Sequence, residues 1–273
     1  IKVNLNVNFL GIELRNPLLL SSGVLGLTKP TMQRVIANGA GGVFSKSISL
    51  KPRSGHPNPT VIAGRHYIMN AMGLCNPGIN DTIKEIEGRD FPFFGSVFGE
   101  SVQEYVEVAK KLERHVDAIE LNLSCPNVSG KMISKNAELV KEYVNGVKLA
   151  IKKPLIAKLS PNVDNIGAIA KAAENAGADA ISAINTVGPG MAIDIDMGKP
   201  ILSNKFGGVS GPAIKPIAIA KVYEIYETVK IPIIGVGGIK KGADVIEMMM
   251  AGALLIGIGS AIFYRGMDVF KKI

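Results

Sequence analysis

The chain has 273 residues, 47% of them hydrophobic and 20% charged, with a formal net charge of +8; this excludes a disordered polar chain and one too short to bury a core. Its Lys and Arg are dispersed, with no run longer than a Lys-Lys pair. The charge therefore reads as a solvated surface rather than a nucleic-acid footprint, with attraction of anionic ligands as the sharper alternative. Two cysteines, Cys75 and Cys125, and three histidines without ligand spacing exclude a disulfide framework, a CxxC or HExxH metal motif and an iron–sulfur cluster held by this chain alone.

The start, Val3-Asn4-Leu5-Asn6-Val7-Asn8-Phe9, alternates strictly and turns at Gly11, which predicts a small hairpin plugging the bottom of the fold. Nearly continuous apolar runs recur at 17–23, 42–49, 92–99, 118–124, 154–160, 180–185, 232–238 and 254–260. Such runs suit parallel strands covered on both faces. Amphipathic helical patterns fall between them, at 102–113 with Ser101 as N-cap, and at 137–151, 165–177 and 213–229. Alternation of this kind predicts an α/β fold, a (β/α)8 TIM barrel occupying 1–273 as one domain. An open doubly wound sheet is the alternative, without an early GxGxxG to support it.

Two long segments, 51–80 and 188–211, follow the second and sixth strands. They are expected as long loops on the C-terminal face, where barrel enzymes build their sites. The uncharged stretch 248–264 reads as a buried helix end leading into a strand rather than a membrane span. No secretory signal pattern is visible over residues 1–16, so a cytoplasmic protein without membrane or nucleic-acid partners is expected.

Several residues stand out chemically. Gly235-Val236-Gly237-Gly238 and Gly257-Ile258-Gly259-Ser260 end the last two strands, where barrels bind phosphate through backbone N–H groups; tight turns alone would also explain them. Lys46 and Lys158 interrupt apolar runs. An ammonium inside a barrel needs an anionic partner, although each Lys could instead snorkel at a strand tip. Cys125, at the end of Glu120-Leu121-Asn122-Leu123-Ser124, is compatible with a base and with a small buried hydrophobe. Asn70, Asn76, Asn122, Asn127 and Asn185 could read a planar amide ligand or merely shape turns.

Taken together, Asn70-Ala71-Met72-Gly73-Leu74, the run from Glu120 to Asn127, Lys158-Leu159-Ser160-Pro161-Asn162, Ile184-Asn185-Thr186, the run from Gly207 to Pro216 and Gly235 to Gly238 resemble the class 1 dihydroorotate dehydrogenases. The resemblance runs through essentially the whole chain in order. It implies an FMN-containing barrel that oxidises dihydroorotate to orotate in pyrimidine synthesis, with Cys125 as the base for the C5 proton and Lys158 as its catalytic companion. The Cys, where the membrane-linked class has Ser, argues for class 1. Lys158-Leu159-Ser160-Pro161 and Ser210 to Pro216 are similar to the NAD-linked (1B) branch, which implies a homodimer core and a partner subunit carrying FAD and a 2Fe–2S cluster. Carried over, Ser22, Lys46, Ser47, Asn122, Lys158, Ile184, Gly211, Gly237, Gly238, Gly259 and Ser260 would contact FMN. Lys46, Asn70, Ala71, Met72, Gly73, Leu74, Asn122, Asn127, Asn185 and Thr186 would hold substrate, and no metal is implied. The alternative is a flavin barrel acting on another pyrimidine, similar to the dihydropyrimidine dehydrogenases. Two departures are visible: Ser96 stands where the branch often has Asn, and family members usually continue through a fuller helix than one ending at Ile273.

Overall fold

The computed structural model describes residues 4–124 and 132–273. Eight strands carry the fold: β1 (Leu18–Leu20), β2 (Gly42–Phe44), β3 (Phe93–Val97), β4 (Ala118–Asn122), β5 (Leu155–Leu159), β6 (Ala180–Ala183), β7 (Ile233–Val236) and β8 (Leu255–Ile258). Each pairs in parallel with the next and β8 pairs with β1, so the sheet closes into the expected barrel. Helices follow the strands in turn: α1 (Lys29–Ala37), α2 (Ile79–Ile86), α3 (Val102–Leu112), α4 (Ala137–Lys148), α5 (Ile166–Asn175), α6 (Lys215–Tyr226), α7 (Gly242–Met250) and, after β8, both α8 (Ala261–Arg265) and the short α9 (Val269–Lys272). Ser101 caps α3 by accepting from the Glu104 amide at 3.3 Å, and Asn165 caps α5 through the Ala168 amide at 2.8 Å.

Every apolar run is longer than the strand inside it, and the reason lies at the barrel's two rims. Pro17, Pro92, Pro154 and Pro232 precede β1, β3, β5 and β7 and have no N–H to donate. Their carbonyls still accept from Ile256, Val43, Ile119 and Ile181 of the neighbouring strands at 2.9–3.0 Å. The first amides of β3 and β5 are instead met by carboxylates: Asp117 accepts from Phe93 at 2.8 Å and Asp179 from Leu155 at 2.7 Å. Past the upper rim the chain turns away into loops, and beyond β2 pairing survives as a single bridge between Ile48 and Val97. The helices are likewise shorter than their patterns; 213–229 opens with a 3-10 turn, Pro212–Ile214, before α6. Among the described residues of the hairpin, Val7–Phe9 pairs with Ile12–Leu14, and the second strand ends before Asn16 and Pro17; Val3 lies outside the described residues.

Side chains two apart on a strand share a face, so the barrel interior is built in rings. The lower ring takes one apolar residue from each strand: Leu19, Phe44, Phe94, Ala118, Ile156, Ala180, Ile234 and Leu255. Phe9 and Leu14 of the hairpin pack under it, so the hairpin plugs the barrel as expected. Phe94 meets Phe9 edge-on at 6.2 Å and stacks on Phe44 at 4.9 Å; burying each such ring stabilises by roughly 2–3 kcal/mol. Two residues further along, the same alternation brings Ser21, Lys46, Ser96, Glu120, Lys158, Ser182, Val236 and Gly257 to the next ring. The interior thus changes from wholly apolar to mostly polar in one step.

Above the rim, the two long loops after β2 and β6 join. Val61–Ala63, Ile68–Asn70, Gly207–Ser210 and Val187–Gly190 form a four-stranded antiparallel sheet that roofs the barrel. These stretches, expected as loops, hide strands of three or four residues. Their Gly and Pro content and lack of alternation leave no period for the sequence to show.

Candidate active site

Between the polar ring and the roof sheet lies a cavity of about 480 Å³, within the range of small-molecule sites. Among the expected residues Ser22, Lys46, Ser47, Asn122, Lys158, Ile184, Gly211, Gly237, Gly238, Gly259 and Ser260 border it, as do Asn70, Ala71, Met72, Gly73, Leu74, Asn185 and Thr186. Cys125 and Asn127 lie outside the described residues. The cavity is also bordered by Ser210, Ile214, Val236 and Gly257, which lie inside the quoted motifs, and by Ser21 and Val24, which sequence reasoning did not single out. For Ser21 the alternation inside the barrel would have supplied the signal.

The floor amides are held in a chain of hydrogen bonds. Ser96, fully buried on β3, shares a bond with Ser47 at 3.1 Å between hydroxyls. Asn122 of β4 donates to Ser47 at 3.0 Å, and its own carbonyl oxygen accepts from Asn185 at 3.3 Å. Asn185 also donates to the Ser124 hydroxyl at 2.9 Å. Fixing each amide's partners fixes which end of it faces the cavity. The Asn162 side chain pins the segment above: it donates to the Thr186 carbonyl at 3.1 Å and accepts from the Gly188 amide at 2.9 Å. Asn76, also set apart by the sequence, works in the loop after β2 instead. Its oxygen accepts from the amides of Ser49 and Gly78 at 3.2 and 2.9 Å, so it shapes the turn.

The two lysines point inward, not to solvent. Lys158 is 6% exposed and pairs with Glu120 at 3.7 Å. Lys46 donates to the Cys75 sulfur at 2.9 Å, a contact across 29 positions of sequence that no motif announces. On the opposite wall, Gly237 and Gly238 have φ of +138° and +74°, which side-chain-bearing residues adopt at a cost. A Cβ on Gly237 would lie 2.5 Å from Ala218, and one on Gly238 2.9 Å from the Lys215 backbone nitrogen. These two glycines therefore let the chain pack closely on α6, while their backbone borders the cavity. The Ser21 hydroxyl is buried without a partner among the described residues. Two ammonium groups, fixed amides, an orphaned hydroxyl and a bare glycine wall suit a planar, anionic ligand.

A profile of the dihydroorotate dehydrogenase family matches residues 4–273. The chain belongs to this family. It is 50% identical to the dihydroorotate dehydrogenase B (NAD+) catalytic subunit of Methanocaldococcus jannaschii, over 98% of this chain and 90% of that one. It is 48% identical to the subunit of the same name from Pyrococcus abyssi, over 98% and 91%. The crystal structure of DHODH in complex with ferulenol, from Eimeria tenella, superposes with a TM-score of 0.84 at 20% identity, covering 98% of this chain and 82% of that one. This last likeness shows the shared barrel fold. Among the described residues no helix is long and apolar enough to cross a membrane.

Proposed function

We propose that this chain is the FMN-binding catalytic subunit of an NAD-linked dihydroorotate dehydrogenase, a single barrel domain working in the cytoplasm in pyrimidine synthesis. The observation that carries the reading is the polar ring: two inward ammonium groups and a hydrogen-bonded file of amides facing one cavity. FMN fits it on the chemistry of the donor set. Gly237, Gly238 and Gly259 offer backbone amides without obstructing Cβ atoms, and Ser260 adds an amide and a hydroxyl, a set suited to a phosphate. Ser22, Ser47, Ile184 and Gly211 would flank the ring system, and the orphaned Ser21 hydroxyl gains a partner. Bound flavin supplies the two-electron acceptor for the C6 hydrogen of substrate.

The protein's residues do the rest. Lys46, Asn70, Asn122, Asn185 and Thr186 hold the carboxylate and ring amides of dihydroorotate, with Asn127 as a further ligand. Ala71, Met72, Gly73 and Leu74, beside Asn70 under the roof, line the same cavity and hold the substrate with it. Cys125, directly after Ser124 in the chain, takes the C5 proton as general base. Lys158 borders the cavity and would offset the negative charge that a reduced flavin carries, a preorganised electrostatic contribution. The relatives are named catalytic subunits, which supports a second subunit. In this reading that partner is an FAD- and 2Fe–2S-bearing protein docked on a homodimer of barrels, passing electrons to NAD+.

The test is the visible spectrum of the purified chain, followed by dihydroorotate under anaerobic conditions. A flavin absorbance that bleaches supports the reading. A flavin that stays oxidised moves the substrate to another pyrimidine, and a protein that cannot be loaded with FMN overturns the reading.

A further inference from the structure

Glu120 is the one acid in the polar ring, and the proposed mechanism leaves it without a task. It is 1% exposed. Its Oε1 lies 3.7 Å from the Lys158 ammonium, and no hydrogen bond reaches that atom among the described residues. The Lys215–Asp244 pair, by comparison, closes to 2.8 Å. The strand register places the carboxylate. Asn122 is the partner of Lys158 across β4 and β5, and Glu120 sits one inward step below Asn122, beside Ile156 of the apolar ring. Lys158 and Asn122 border the cavity and Glu120 does not. The acid is therefore on the core side of the ammonium, where burying a carboxylate is unfavourable unless its charge is used.

We infer that Glu120 is a positioning residue: from beneath, it keeps the Lys158 ammonium directed at the cavity and offsets part of its charge, setting how far the site favours reduced over oxidised flavin. The inference rests on the flavin reading. An anion at this depth opposes the negative charge that reduction brings, so neutralising it must favour the reduced form.

The midpoint potential of the bound flavin, measured by anaerobic spectroelectrochemistry in the FMN-loaded protein, tests this. In Glu120→Gln the preference for reduced over oxidised flavin should rise at least tenfold, an upward shift of about 30 mV for a two-electron couple. An unchanged or lower potential overturns the inference. Glu120→Asp covers the case in which the Gln variant does not fold. It keeps the charge but withdraws it, so the potential should rise by a smaller step; no rise overturns the inference equally. A wild-type chain that takes up no FMN defeats the flavin reading and this inference with it. A flavin-loaded wild type whose potential neither variant moves defeats this inference alone.

Discussion

The residues of the cavity differ in what their loss should show. Under the proposed mechanism Cys125→Ser keeps the flavin spectrum but lowers turnover at neutral pH by about 10²–10⁴-fold, the usual worth of a positioned base. Wild-type reduction by dihydroorotate, followed by stopped flow, should speed up as pH rises toward the ordinary thiol range near 8.5. A Ser variant with full turnover at pH 7 removes Cys125 from the role. Ser96 never touches the cavity, yet its hydroxyl anchors Ser47 and through it Asn122. Ser96→Ala should raise KM for dihydroorotate several-fold while FMN stays bound, at a stability cost of about 1 kcal/mol for the lost buried bond; an unchanged KM would make the network merely structural. Lys46 and Lys158 were legible because a charge inside an apolar run is an anomaly with few explanations. Glu120 was equally anomalous in Ala118-Ile119-Glu120-Leu121 but passed as part of a motif, since pairing with Lys158 depends on register between strands. The Lys46–Cys75 contact is a property of the folded loop alone.

At the scale of elements, the N-terminus of α7 is the clearest pH-sensitive joint. Burial pushes the Asp244 carboxyl up, but the Lys215 ammonium at 2.8 Å and the amides of Lys240 and Lys241 outweigh it and hold Asp244 below the usual carboxylate range. Its contribution is therefore complete above about pH 3.9, the unfolded value, and disappears as pH falls through the lower folded one. Lys215 is shifted up, first by its bond to Asp244 and then by Glu247, so its share is present below about pH 10.4 and fades as pH rises through its higher folded value. Asp244→Asn should cost about 1–2 kcal/mol at pH 7, allowing for solvent at Lys215. Urea midpoints from pH 7 to 2 check the sign: the difference between variant and wild type must shrink toward the acid end. The roof sheet is the other element with a sharp prediction. A Cβ on Gly208 would lie 2.1 Å from the Thr186 hydroxyl. Gly208→Ala should therefore displace Thr186 and raise KM for dihydroorotate with the flavin affinity little changed; parallel losses of both would show that the roof also carries the cofactor. The eight barrel strands were visible because they are continuous apolar runs. The roof strands were not, because pairing between two distant loops, Gly208 opposite Asn70 for example, leaves no local period.

The molecule as a whole is a barrel closed from below by its own N-terminal hairpin. Phe9 is fully buried against the lower ring, so Phe9→Ala should destabilise by about 3–5 kcal/mol. Equilibrium denaturation of the FMN-loaded protein measures it; a loss below about 1 kcal/mol would mean the hairpin only rests on the barrel. The order of parts could be read from the sequence, and so could the face that bears the site. The boundaries could not, since each strand ends where a neighbour's ladder ends. The passage from apolar ring to polar ring has a further consequence, for how such a barrel diversifies. Positions that hold the scaffold and positions that meet the ligand alternate along the same strands, separated by a single inward step. Substitutions at Ser21 or Val236, which border the cavity, can alter what it accepts while Phe44, Phe94 and Phe9 keep the barrel shut beneath them. Heredity, or a focused library at these two positions, can explore new chemistry here without wagering the fold.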